Sequence, residues 1–162
     1  MEHITVVLDN IRSAYNVGAI MRSCAAFGTK NLIAIGVTPY PKQPEDQRLP
    51  HVARNADKAI SKSALGTQKL ISVTYFATTN NYLRSLDGPL YALEQTKAAQ
   101  PIQDFKPSLP CSIVLGNEVE GVSPELLDAS DEHIIIPHLS VKNSLNVSVA
   151  AGVALSWMHN NT

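Results

Sequence analysis

Six short runs of apolar or β-branched residues punctuate the chain: "ITVVLD" (Ile4 to Asp9), "NLIAIGV" (Asn31 to Val37), "KLISVTYFAT" (Lys69 to Thr78), "PLYALE" (Pro89 to Glu94), "SIVLG" (Ser112 to Gly116) and "HIIIP" (His133 to Pro137). Each is bounded by turn residues and lacks a polar residue at every second position, so it reads as a strand buried on both faces. Between them, helical patterning predicts helices over Ser13 to Phe27, Val52 to Lys62, Asn80 to Leu86, Pro124 to Ala129 and Leu145 to Asn160. Strands that alternate with helices fold as an α/β domain, a mostly parallel sheet flanked by helices. At 162 residues the chain makes one domain, 1–162, long enough to bury a core without disulfide or metal staples. In such sheets the working residues gather at the carboxyl ends of the strands.

Composition removes several classes. With 44% hydrophobic and 17% charged residues and no repeat or low-complexity tract, the chain is not disordered. Its start, "MEHITVVLDN", carries an acidic residue and too short an apolar run for a signal peptide or membrane span, so a cytoplasmic location is expected. Cys24 and Cys111 have no CxxC spacing and read as buried thiols, and the five histidines show no metal-ligand spacing, so no metal is expected. A net charge of −1 means that any surface for nucleic acid must be local. Two long proline-rich stretches, Thr38 to Pro50 and Gln95 to Pro110, exceed the usual connection length and read as functional loops.

Two helices stand out. In "NVGAIMR" (Asn16 to Arg22), Val17, Ile20, Met21, Cys24 and Phe27 form a buried stripe, and Arg22 lies off it among Gly18, Ala19, Ala25 and Ala26. A long cation thus stands on a face stripped of other side chains. The last helix, "SLNVSVAAGVALSWM" (Ser144 to Met158), has no charged residue on any face. It is expected to be covered all round, either by a second copy of the chain, making a homodimer, or by the chain's own long loops.

Three segments complete the pattern: "NIRSAYNVGAIMRSCAAFG", "SIVLGNEVEGVSPELL" and "IIIPHLSVKNSLNVSVAAGVAL". In order, separation and residue type they resemble the three signature motifs of the SpoU (TrmH-like) RNA 2′-O-ribose methyltransferases of the SPOUT superfamily. The resemblance implies an α/β fold whose C-terminal part forms a trefoil knot, with S-adenosylmethionine bound among the knot loops at a homodimer interface. It implies catalytic-site roles for Asn16, Arg22, Glu118, Ser144 and Asn146. It also implies that Leu93, Glu94, Gly116, Asn117, Ile136 and Leu145 hold S-adenosylmethionine, largely through backbone groups. Topological rules alone would have rejected a knot. No GxGxxG fingerprint supports a dinucleotide site.

The residue types suit the chemistry the resemblance implies. Transfer of a methyl group to a 2′-hydroxyl needs that weak nucleophile aligned and its proton removed. Arg22 has two competing roles: a perturbed base, or a grip on the adjacent phosphate. Glu118 is a candidate to pair with Arg22 or orient it, Asn16 to cap the helix carrying Arg22, and Ser144 and Asn146 to donate to a phosphate or ribose at the next helix start. Taken singly, each is equally a solvated charge, a helix cap or a turn carboxylate.

For RNA, Arg48, His51, Arg54, Lys58 and Lys62 follow the first proline-rich loop, and the last three recur every four residues, a local basic stripe on a neutral protein. Lys142 adds another candidate, and Tyr15 and Tyr40 are possible stacking platforms. The chain resembles a minimal catalytic domain, which favours tRNA over rRNA. A non-catalytic RNA-binding relative and a flavodoxin-like or receiver-like module remain alternatives; the latter would need an acidic cluster that Asp9 alone does not supply.

Overall fold

A computed structural model describes residues 3–139 and 144–161. Seven strands, β1 (Ile4–Asp9), β2 (Asn31–Ile35), β3 (Ser72–Phe76), β4 (Leu90–Leu93), β5 (Gln100–Pro101), β6 (Cys111–Leu115) and β7 (Glu132–Ile135), form one sheet in the order β3-β2-β1-β6-β4-β7-β5. Every pairing is parallel. The helices are α1 (Ala14–Ala26), α2 (Pro50–Ala64), α3 (Thr79–Leu83), α4 (Pro124–Ala129) and α5 (Val147–Asn160).

The side-chain alternation of the central strands builds two cores. On one face Ile4, Val6 and Leu8 of β1 pack with Val17, Ile20 and Met21 of α1 and with Ala154, Leu155 and Met158 of α5. On the other face Val7 and Val114 meet Tyr82 of α3 and Leu126 of α4. The continuous apolar runs of β1, β4 and β6 are thereby explained, because both of their faces are covered. The outlying β3 departs from the expected buried strand: at the sheet edge it leaves Ser72, Thr74 and Tyr75 exposed.

Ser13 caps α1, its hydroxyl accepting the N–H of Asn16 at 3.3 Å. The expected cap, Asn16, instead lies inside the first turn, which frees its side chain. Gly18 is buried where α1 crosses α2, and a Cβ there would overlap the Ile60 carbonyl oxygen and Ser63 Oγ. One residue off Arg22's bare face is therefore bare because a second helix lies against it.

The second proline-rich loop is largely structural. It contributes β5 and a single 3-10 turn (Ile102–Asp104), and buries Ile102 and Phe105. Trp157 Nε1–H donates to the Phe105 carbonyl at 3.3 Å, so this loop covers one flank of α5. The other flank remains open: Val149 and Val153 of α5 are exposed beside Ser23 and Phe27 of α1. Both thiols are buried as expected, and burial pushes Cys111 up to about 11. Among the described residues no helix is long and apolar enough to cross a membrane.

Candidate active site

The sheet order changes direction between β1 and β6: the chain winds outward through β2 and β3 on one side and occupies β6, β4, β7 and β5 on the other. Crevices in α/β sheets open at the carboxyl ends of strands flanking such a point. Here the carboxyl ends of β4, β6 and β7 and the start of α5 enclose a cavity of about 590 Å³. Leu93, Glu94, Gly116, Asn117, Ile136 and Leu145 all line it, as do Glu118, Ser144 and Asn146. Residues as far apart in the sequence as Leu93 and Ala150 are brought to one place.

Glu118 organises the rim. Its carboxylate accepts the backbone N–H of Arg12 at 3.0 Å, that of Ser13 at 3.2 Å and the Asn16 side-chain amide at 2.9 Å. Burial pushes the Glu118 pKa up, but the N–H of Arg12, the Asn16 amide and the neighbouring backbone donors outweigh it and hold the carboxyl below its ordinary value. Asn16 Oδ1 in turn accepts from Asn146 Nδ2 at 3.2 Å, while Asn146 Oδ1 caps α5 by accepting the Ser148 N–H at 2.8 Å. The three motifs thus meet in one hydrogen-bonded series, Glu118 to Asn16 to Asn146. This corrects the idea that Glu118 pairs with Arg22, since its oxygens are taken by other donors.

The loop after β6 is shaped by glycine and held by polar side chains. A Cβ on Gly116 would overlap the backbone of Gly121 and Val122. Asn117 and Gly121 exchange backbone hydrogen bonds, each at 2.9 Å, so the chain folds back on itself within four residues. Asn117 is buried, its Oδ1 accepting from Val119 and its Nδ2 donating to the Asn10 carbonyl at 2.7 Å. The Glu94 carboxylate accepts the N–H of Val122 and of Gln95, and Asp9 accepts that of Ser123 at 2.7 Å. The side chains of Glu94 and Asn117 therefore secure the loop, and the cavity combines apolar side chains such as Leu93, Leu115, Ile134 and Val147 with polar ones such as Gln95, Glu120 and Asn146. Sequence reasoning did not mark Asp9 as a support for this loop, nor Val119, Ile134, Val147 and Ala150 as wall residues; only their position beside the motifs hinted at them.

Arg22 does not join this cavity. It is exposed on α1 and lines a separate cleft with Lys62, Ser63 and Leu65 at the end of α2, next to the open flank of α5, with which that cleft shares Ser23 and Phe27. Six residues after Asn16, it sits about 9 Å further along the helix. Arg54, Lys58 and Lys62 are exposed along α2, as their spacing predicts. Arg48 is different, and its RNA assignment is corrected: Nε donates to Asp46 Oδ1 at 2.8 Å, the other nitrogens bond the carbonyls of Tyr40 and Pro41, and the guanidinium lies 3.5 Å from the Tyr40 ring centre. The Arg48 hydrogen bond holds the Asp46 carboxyl far below the usual carboxylate range. This pair staples the first proline-rich loop. Tyr40 is buried beneath it and Tyr15 stays exposed; Lys142 lies outside the described residues.

Known proteins resemble this chain in sequence and fold. A family model described as the SpoU rRNA Methylase family matches residues 3–156. The tRNA (guanosine(18)-2′-O)-methyltransferase of Thermus thermophilus is 30% identical over 155 residues, which is 94% of this chain and 72% of that protein. A 23S rRNA (guanosine-2′-O-)-methyltransferase of Vibrio parahaemolyticus is 31% identical over 155 residues, 94% of this chain and 57% of that protein. The chain therefore spans between 57% and 72% of these two curated relatives. Among solved structures, an AdoMet-bound rRNA methyltransferase from Sinorhizobium meliloti superposes with a TM-score of 0.79 at 22% identity, covering 97% of this chain and 56% of that one. At that identity the likeness is one of fold.

Proposed function

Because the chain belongs to the SpoU rRNA Methylase family, we propose that it is an S-adenosylmethionine-dependent methyltransferase acting on a ribose 2′-hydroxyl of RNA, with tRNA the favoured substrate. The observation that carries this reading is the cavity of about 590 Å³ lined by Glu118, Ser144 and Asn146 of the second and third motifs, with Asn16 of the first motif hydrogen-bonded to both Glu118 and Asn146. Its volume falls within the roughly 300–1,000 Å³ of small-molecule sites. Its make-up also suits a nucleoside joined to an amino acid: an apolar wall of Leu93, Leu115, Ile134 and Val147, main chain at Gly116 and Gly121 bare of side chains, and polar groups at the rim. When bound there, S-adenosylmethionine supplies an electrophilic methyl carbon.

The chain's own residues do the rest. Glu118, whose carboxylate accepts from three donors that favour its ionised form, fixes the first turn of α1 and with it the Asn16 amide. Asn16 and Asn146 present hydrogen-bonding groups at the cavity mouth, where a ribose is oriented and water is displaced. Arg22 is a fork of donors with no acceptor, suited to holding a phosphate and with it the adjacent ribose. Its placement away from the cavity, in a cleft that shares Ser23 and Phe27 with the flank carrying the exposed Val149 and Val153, supports a homodimer in which one protomer's Arg22 serves a cavity shared with its partner. The same uncharged flank supports the covered helix that the sequence requires. The order β6-β4-β7, in which the chain crosses β4 to lay down β7, supports the C-terminal trefoil knot. A cytoplasmic site of action is part of the same reading, since that is where an RNA substrate of this kind is met.

The experiment is transfer of labelled methyl from S-adenosylmethionine to RNA separated into tRNA and rRNA, by the wild type, Asn16→Ala and Arg22→Ala. Alkali-resistant label in tRNA that falls at least a hundredfold in both variants is expected. Label in rRNA alone would replace the substrate. Absence of label from all fractions, with S-adenosylmethionine still bound, would leave the non-catalytic RNA-binding reading.

A further inference from the structure

A second concavity lies across the first turn of α1 from the cavity just described. It measures about 950 Å³ and is walled by the end of the edge strand β3, the loop from Gly36 to Arg48 and one face of α2. None of the residues singled out from the motifs lines it. Its floor is aromatic and its construction is layered. The Arg48 guanidinium covers the buried ring of Tyr40, and the Tyr75 ring stacks on Tyr40 with centroids 4.8 Å apart and planes 28° from parallel. Tyr75 remains 38% exposed, and its hydroxyl donates to the Gly36 carbonyl at 3.1 Å, which fixes the ring's direction.

The opposite wall is α2. Val52, Asn55, Ala56 and Ala59 face the cleft. Three of these are small or apolar. Asn55 is exposed, and among the described residues its amide has no hydrogen-bond partner. Around the same helix, about 110° away at 100° per residue, run Arg54, Lys58 and Lys62. A rigid aromatic face, a facing gap bare of bulk, one uncommitted amide and a flanking line of cations is the set that single-stranded nucleic acid uses: rings stack on bases, amides read their edges and lysines track the backbone.

We propose that this cleft is a subsite for an unpaired base of the RNA substrate, stacked on Tyr75 and contacted at its edge by Asn55, outside the reacting nucleotide. The inference rests on the RNA substrate proposed above. The two sites share the start of α1, since Ala14 lines the cleft and Asn16 the catalytic series. They are also joined through Asn10, whose side-chain oxygen accepts the Val37 N–H at the cleft rim while its carbonyl accepts from Asn117. A strand that crosses the first turn of α1 would present one base to the cleft and another nucleotide to the cavity. Of the tyrosines considered from the sequence, Tyr40 is the buried support; the platform is Tyr75, which sequence inspection passes over as a strand residue.

The test is direct binding of a fluorescently labelled single-stranded oligoribonucleotide of mixed sequence to the wild type, Tyr75→Ala, Tyr75→Phe and Asn55→Ala, at fixed salt, alongside S-adenosylmethionine affinity. Tyr75→Ala is expected to weaken RNA binding about tenfold, Tyr75→Phe to keep most of it because the ring persists, and Asn55→Ala to flatten preference among oligonucleotides of different base. S-adenosylmethionine affinity stays constant in all three. Unchanged RNA affinity in Tyr75→Ala, with the wild type binding RNA and transferring methyl, overturns the subsite and leaves the proposed function standing. Equal losses in Tyr75→Ala and Tyr75→Phe assign the effect to the hydroxyl's grip on Gly36 and also overturn it. A wild type that binds no RNA overturns both.

Discussion

Replacing Glu118 with glutamine isolates the charge that holds the first turn of α1. The carboxylate receives the N–H of Arg12, the N–H of Ser13 and the Asn16 amide, at 3.0, 3.2 and 2.9 Å. Glutamine has one acceptor oxygen, and its amide nitrogen meets donors with a donor, so at least one of the three bonds is lost and the others lose their ionic character. A charge-assisted bond inside a protein contributes about 1.5–3 kcal/mol; at this solvent-exposed rim water replaces part of it, so about 0.5 kcal/mol each is the appropriate scale. The total is about 1–2 kcal/mol, which for a domain of this length is a fall in melting temperature of about 3–6 °C. The pH dependence carries the argument. Because the folded pKa is depressed below its ordinary value of 4.5, the stabilisation is complete above that value and is lost as pH falls through the folded pKa. Calorimetric melts of both proteins from pH 7 to pH 3 should therefore converge below about pH 4.5. A difference that is zero at pH 7, or that persists unchanged at pH 3, refutes the account of Glu118 as an ionised clamp. Methyl transfer should fall with it, because Asn16 loses its tether.

Three further outcomes follow from the same geometry. Gly116→Ala places a methyl group in the backbone of Gly121 and Val122, so it should destabilise the fold by more than about 2 kcal/mol and abolish S-adenosylmethionine binding by calorimetry at temperatures where circular dichroism still reports a folded chain. Lys58→Glu, on the exposed face of α2, should leave thermal stability within about 0.5 kcal/mol while weakening RNA binding and lowering its dependence on salt by about one unit of log–log slope. Val153→Arg, on the open flank of α5, should break the proposed homodimer, leaving a monomer in sedimentation where the wild type is a dimer, and reduce methyl transfer; a variant dimer that persists would place the interface elsewhere.

The parallel α/β architecture was legible because burial on both faces removes the apolar–polar alternation of a half-exposed strand, and β1, β4 and β6 are mainly continuous apolar runs despite Thr5, Asp9 and Ser112. The bounds of β1 and α4 match the expected ones, and the other predicted elements recur with ends displaced by a few residues. The strand β3 was misjudged as buried because an edge strand with one covered face can carry as many β-branched and aromatic residues as a central one. The short β5 was not visible at all, since two residues, one of them proline, give no periodicity.

The chemistry of the site was legible as three motifs, and the cavity-lining positions assigned from them do come together. What residue type alone decided was which atoms were available: a carboxylate at 118, amides at 16 and 146, a guanidinium at 22, glycine where the chain passes itself at 116. What only the tertiary structure decided was the pairing among them. Glu118 faces α1's first amides rather than Arg22, Arg48 is consumed by Asp46 and Tyr40, and Tyr75 rather than Tyr40 meets solvent. The reason is directional: hydrogen bonds and ring contacts depend on angles and distances of a few ångströms between residues up to 130 positions apart. Local periodicity holds no information about such directions until the sheet and its helices have set them.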